Sequence, residues 1–167
     1  YHLESSDGFV DDIQVTHYVH DDADPNSLSG NYVISIHEDP YGTIWVGTYG
    51  QGINKMIKQK QSGSFESYGT SDGLSNTLIY GIASDDQNNL WLSTDYGLSR
   101  LNTSTGIVRN YFKADGFLNN QYYWSASHKN TDGKLYFGGM NGMDGFYPEW
   151  IHQDQKGSEV TITDIKL

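Results

Sequence analysis

Residues Glu38–Met56 read EDPYGTIWVGTYGQGINKM: an acidic turn, a Trp-centred run of β-type residues, a glycine-bounded loop and a second apolar run. Two later stretches lie over it in phase, DDQNNLWLSTDYGLSRL at Asp85–Leu101 and NTDGKLYFGGMNGMDGF at Asn130–Phe146. Their aromatic anchors Trp45, Trp91 and Tyr136 are separated by 46 and 45 residues, and the turn residues Gly42, Asn88 and Gly133 keep one offset from them. A glycine recurs after each aromatic run, at Gly52, Gly97 and Gly142, followed by Ile53, Leu98 and Met143. A repeat of this length marks an architecture in which each unit covers its apolar faces with its neighbours.

Each unit holds short runs of β-type residues bounded by turn signals. They are Tyr32–His37, Thr43–Thr48, Ile53–Ile57 and Phe65–Tyr68 in the first unit, and Leu78–Ser84, Leu90–Thr94, Leu98–Asn102 and Ile107–Phe112 in the second. The third supplies Tyr123–His128, Leu135–Gly138 and Met143–Tyr147 and lacks a fourth run. Four strands in about 45 residues, joined by hairpin-length turns, is the size of one propeller blade. The fold expected is therefore all-β: β-propeller blades of four antiparallel strands, in a partial propeller of about three blades. The blades are expected at 23–69, 70–113 and 114–151. An orphan run, Ile13–Val19, reads as the last strand of a preceding blade within residues 1–22. Trp45, Trp91 and Tyr136 are expected to pack between adjacent blades.

Composition agrees. The 167 residues are only 36% apolar but 14% aromatic, with 13 Tyr, 4 Trp and 19 Gly, the pairing of aromatic strands with glycine turns that β folds favour. Ten basic residues against 21 acidic ones leave a net charge of −11, which argues against nucleic acid as a partner. With no cysteine, disulfides and thiolate metal sites are excluded. No apolar run is long enough to span a membrane.

The stretches PNSLSGNYVISIHEDPYGTIWVGTYGQGINKM (Pro25–Met56) and SDGLSNTLIYGIASDDQNNLWLSTDYGLSRLN (Ser71–Asn102) resemble the two-component regulator propeller repeat. That family's pattern is SLS-x-N, a strand, an acidic turn, then G-x-IW-GT and G-GL. Unit two departs from it mildly, with Asn88–Asn89 where the family commonly has a glycine-containing turn. GKLYFGGMNGMDGFYPEWI (Gly133–Ile151) is similar to the family's closing blade, and EVTITDIKL (159–167) looks like the first strand of the immunoglobulin-like domain that usually follows, after a linker beginning at 152. The resemblance implies the periplasmic sensor region of a Bacteroidetes-type hybrid two-component system, whose full-length protein would be a sensor histidine kinase. The segment itself is expected to be neither an enzyme nor membrane-spanning.

Propeller geometry places the loops between second and third strands, and those between successive blades, on one face. On that face Tyr49, Gln51, Asp95, Tyr96, Asn120, Tyr122 and Asn141 are the candidate ligand-binding residues. Met140, Ser75, Asn76, Asn119 and Gln121 lie beside them in the same loops. Aromatic faces cover the C–H groups of a sugar while amides and carboxylates bond its hydroxyls, so an oligosaccharide is the expected ligand. Self-association into a homodimer or higher oligomer is expected too. The acidic turns at Asp39, Asp85, Asp86 and Asp132 fall on the opposite face and are expected to be solvated.

Other chemistry finds little support. Adjacent carboxylates such as Asp11–Asp12, Asp21–Asp22 and Asp85–Asp86 point apart in extended chain and do not flank a bond as a glycosidase requires. The Asp39…Gly42…Trp45 spacing is one residue longer before its glycine than the sialidase turn motif, and that family's clamp needs three arginines where this chain has two, Arg100 and Arg109. No catalytic residue, metal site or cofactor is expected: His17 and His20 lie on opposite faces of a strand, and the Asp-rich DDADPNS segment lacks the glycine and distal glutamate of a calcium loop. The alternative functions are a structural or protein-interaction propeller without a ligand of its own and, less favoured, a carbohydrate-active enzyme.

Overall fold

A computed structural model describes residues 15–57 and 63–151. Three antiparallel sheets follow one another along the chain. The first contains β1 (Val33–Glu38), β2 (Ile44–Thr48), β3 (Ile53–Ile57) and β4 (Ser64–Tyr68) in sequence order. The second contains β5 (Ile79–Ser84), β6 (Asn89–Thr94), β7 (Leu98–Asn102) and β8 (Val108–Tyr111), and the third β9 (Tyr122–Lys129), β10 (Leu135–Gly139) and β11 (Gly142–Phe146). Each expected run in the three units is a strand, with ends within one residue of expectation. The run Ile13–Val19 differs. Its first two residues lie outside the described segments, and Val15–Val19 joins none of the three sheets. Tyr18 instead sets its ring edge-on to Phe65, 5.7 Å between centroids. The expected immunoglobulin-like strand at 159–167 lies outside the described residues.

The first hairpin of each blade is closed by one side chain. Asp39 Oδ1 accepts the backbone N–H groups of Tyr41 and Thr43, both at 2.9 Å, and Asp85 Oδ1 accepts those of Gln87 and Asn89 at 2.8 and 3.0 Å. Gly42 and Asn88 then take the positive φ, 74° and 62°, that completes the turn. Asp39 and Asp85 were expected to be solvated, but they are buried, 7% and 4% exposed. The second oxygen of each receives an indole N–H, from Trp45 at 2.9 Å and from Trp91 at 3.0 Å. A buried indole donor needs an acceptor, and the turn carboxylate supplies it. Asp86 and Asp132 are exposed, as expected.

Residues alternate across β2, β6 and β10, so each blade offers one face to the blade before it and the other to the blade after. Trp45 and Ile53 of the first blade pack on Ile79, Ile82, Leu90 and Leu92 of the second. Trp91 and Leu98 of the second pack on Tyr122, Leu135 and Phe137 of the third. The third anchor, Tyr136, has no blade beyond it among the described residues. It lies half-buried on an outer face beneath the Lys134 ammonium, 5.5 Å from its ring. The innermost strands are held together by Ser35 Oγ donating to the Ile79 carbonyl at 3.2 Å and Ser127 Oγ to that of Ile82 at 3.3 Å. Approach is tight there: a Cβ on Gly81 would sit 2.8 Å from Ser127.

Candidate ligand-binding face

The loops that follow β2, β6 and β10 meet the segments that lead into β1, β5 and β9. Tyr49 N–H donates to the Tyr32 carbonyl at 2.9 Å, Gly52 N–H to that of Thr77 at 2.9 Å, and Met140 N–H to that of Gln121 at 3.2 Å. The two loop classes therefore share one end of the blades, while the acidic turns share the other, where Lys129 Nζ pairs with Asp86 at 2.6 Å.

A bulge in each innermost strand decides which side chains reach this end. On β1 two steps, Val33 to Ser35, oppose one step on β2, and β5 repeats this at Ile79 to Gly81. On β9 the irregularity is larger: five steps, Tyr122 to Ser127, oppose two on β10, Gly139 to Phe137. Extra residues in one strand bend it and re-aim its side chains. Here they expose Tyr123 and Trp124, 60% and 46%, and force Ser125 to a φ of 52°, a strained value for a residue with a side chain.

The bulge sets Trp124 among three tyrosines. Its ring lies 6.1 Å from Tyr49, 6.4 Å from Tyr32 and 6.3 Å from Tyr80, and Tyr32 and Tyr49 are 5.3 Å apart. Tyr32 and Tyr49 are 58% and 50% exposed, whereas Tyr80 is buried beneath them. Tyr80 Oη donates to Asp95 Oδ1 at 3.1 Å, and Gln121 Nε2 donates to the same oxygen at 2.7 Å. Burial, reinforced by that bond to Asp95, pushes the Tyr80 hydroxyl above its usual range. It stays a neutral donor and fixes the carboxylate at the edge of the aromatic patch.

The seven expected site residues divide. Tyr49 and Asp95 belong to this cluster. Tyr96 is exposed but packs on Phe112, 5.1 Å away. Gln51 is exposed, with its carbonyl accepting Ser29 Oγ at 3.0 Å. Asn120 uses its Oδ1 on the N–H of Lys113 at 2.8 Å. Asn141 is exposed, with its N–H on Asn119 Oδ1 at 2.9 Å. Tyr122 is a correction: it is 1% exposed, its hydroxyl donates to the buried Asp144 at 2.9 Å, and it faces the core rather than a ligand. Burial holds that phenol far above its usual range. Tyr32, Tyr80 and Trp124 were missed because all three lie at strand starts and read as β-formers. The consecutive aromatics Tyr122–Tyr123–Trp124 were the available signal, since strict alternation does not bury three in a row.

Half-exposed rings beside an oriented carboxylate suit a ligand with both apolar C–H faces and hydroxyls. Among the described residues, Asp95 is the carboxylate bonded within the cluster.

Comparisons with known proteins agree with this architecture. Residues 27–50 and 73–96 match the family described as two component regulator propeller. A histidine kinase P4 of Formosa agariphila is 29% identical over 96 residues, covering 58% of this chain and 7% of that protein. The extracellular domain of a B. thetaiotaomicron protein described as a one component system superposes with a TM-score of 0.65 at 25% identity, over 80% of this chain and 19% of that one. Another from the same organism, described as a hybrid two component system, gives 0.51 at 22% identity, over 84% and 24%. The chain thus spans less than a quarter of the length of each of these proteins. The matched segments are the first two strands, with their leading loops, of the first and second blades, and these two segments are what match the two component regulator propeller repeat.

Proposed function

We propose that this chain is a ligand-sensing fragment of the extracytoplasmic region of a two-component signalling protein, responding to oligosaccharide. The observation that carries the reading is the half-exposed Tyr32–Tyr49–Trp124 patch with Asp95 oriented at its edge. The rings would cover the C–H face of a sugar, and Asp95 would accept from its hydroxyls. The segment acts by binding rather than by catalysis, on the periplasmic side. Signalling then requires that the sugar bind one arrangement of paired sensor chains more tightly than another, since a ligand shifts an equilibrium only by its difference in affinity.

The test is calorimetric titration of the complete ectodomain with a panel of neutral oligosaccharides, followed by Trp124→Ala and Tyr49→Ala. A glycan should bind the parent protein and lose about tenfold or more in affinity in either variant, the scale of one aromatic anchor, with little change in melting temperature. A glycan that binds both variants unchanged would place the site elsewhere.

A further inference from the structure

We infer that the outer strands of the second blade form a second site, distinct from the aromatic face, that binds the carboxylate of an acidic sugar through Arg100 and Arg109. These are the only arginines in the chain. They stand directly opposite one another on β7 and β8, an arrangement of like charges that weakens a strand pair unless something lies between them. The first blade provides an internal comparison. There the corresponding cation, Lys55, also sits across from the anchor tryptophan, and its partner on β4 is Glu66. The second blade keeps the stacked cation and puts a second cation where the carboxylate stands. Among the described residues the ion pairs are His20–Asp22 and Lys129–Asp86, and neither arginine takes part in one.

The surroundings are organised for a small anionic ligand. The Arg100 guanidinium lies 5.7 Å from the ring of Trp91 and 5.9 Å from that of Tyr111, which holds its plane and leaves N–H edges to donate. Both arginines line a cleft of about 280 Å³ with Asn89, Asn102, Thr105 and Ile107. The wall is already fixed: Asn89 Nδ2 donates to Asp85 at 2.8 Å, Asn102 Nδ2 to Asn89 Oδ1 at 3.0 Å, and Thr105 Oγ1 to Asn102 Oδ1 at 2.9 Å. Paired guanidinium forks match an oxyanion. The amide and hydroxyl wall suits sugar hydroxyls, and Ile107, 61% exposed, offers an apolar rim. In a chain of net charge −11, two arginines at one cleft, neither in an ion pair among the described residues, give the local positive potential that a carboxylate needs.

That the anion is carried by a sugar rests on the proposed oligosaccharide reading; that the cleft takes an oxyanion does not. The experiment titrates the complete ectodomain with sodium glucuronate, glucose and sodium sulfate, in the parent, Arg109→Glu, Lys113→Glu and Trp124→Ala forms. Arg109→Glu recreates the cross-strand pairing of Lys55 with Glu66, so the variant should fold and melt no lower than the parent. Glucuronate should bind the parent and Trp124→Ala alike, glucose and sulfate more weakly, and Arg109→Glu should lose at least about tenfold in affinity for it. Lys113→Glu, a charge reversal at an exposed position away from the cleft, should bind as the parent does. Glucuronate that fails to bind, or that binds Arg109→Glu unchanged, would overturn the site. Equal binding of sulfate and glucuronate would overturn the sugar. Loss of a neutral glycan in Trp124→Ala alone bears on the aromatic face and leaves this cleft untouched.

Discussion

The indole N–H of Trp45 donates to the carboxylate of Asp39, six residues earlier, at 2.9 Å, and Trp91 makes the same contact with Asp85 at 3.0 Å. In the third blade both members change together. Tyr136 has no indole donor, and Asn130 closes the turn with its Oδ1 on the N–H groups of Asp132 and Lys134, at 3.1 and 2.8 Å. The acid is kept where a buried N–H must be met and replaced by an amide where there is none.

Asp39→Ala should destabilise the fold by about 2 kcal/mol or more, because it strips acceptors from one indole and two backbone donors. Asp39→Asn should cost less, about 1 kcal/mol, since an amide oxygen closes the same turn in the third blade. Urea unfolding followed by tryptophan fluorescence would measure both, and equal losses would show that the turn bonds, which the amide keeps, contribute little beside the indole bond. Burial opposes ionisation of Asp39, but the bonds from Trp45, Thr43 and Tyr41 together hold its carboxyl below the usual carboxylate range. Its contribution is thus complete above the unfolded value of 3.8 and is lost as pH falls through the lower folded value.

His37 links the first two blades, its Nε2 3.0 Å from Ser84 Oγ. Burial lowers its pKa below 6.5, against the pull of Asp39 and with help from Lys129. A folded pKa below the unfolded one means the stabilisation is present above pH 6.5 and lost as pH falls through the folded value. Melting temperature should therefore drop between pH 7 and pH 5, and His37→Gln should flatten that slope. An unchanged slope in the variant would assign the titration to another group.

Tyr122→Phe should cost about 1–2 kcal/mol, because the buried Asp144 loses one donor while keeping Leu118 N–H and Asn119 Nδ2. Glycan affinity should not change, in contrast to Tyr49→Ala. Thermal melts and titrations on the same variant separate core from site; lost affinity in stable protein would return Tyr122 to the binding face.

The first blade's other face holds a cleft of about 440 Å³ lined by Val33, Ile36, Val46, Met56 and Phe65 among others, with Ile36 69% exposed. The corresponding face of the second blade, Ile79, Ile82, Leu90 and Leu92, is covered by Trp45. We propose that the isolated 167-residue chain self-associates through this face. Sedimentation should show oligomers that grow with concentration and that Ile36→Asp reduces to monomer; a parent chain that stays monomeric would refute the idea.

Repetition made the fold legible. Trp45, Trp91 and Tyr136 in phase, each followed by a glycine and an apolar strand, determine the strand count, the turns and the alternation of faces, because these are local consequences of side-chain period and turn chemistry. The burial of Asp39 and Asp85 was not legible, since acidity in a turn reads as solvation until the packed tryptophan beside it is known. Nor was the aromatic face. Tyr32, Tyr80 and Trp124 are drawn from three blades and aimed by bulges, and a bulge changes which way a residue points without changing its propensity. Tyr122 and Trp124, two positions apart and so on one face of a regular strand, end in the core and at the surface because five steps of β9 oppose two of β10. Sequence period determined what the blades are. Register across the third blade, a property of strand pairing, decided which of its aromatics can meet a ligand.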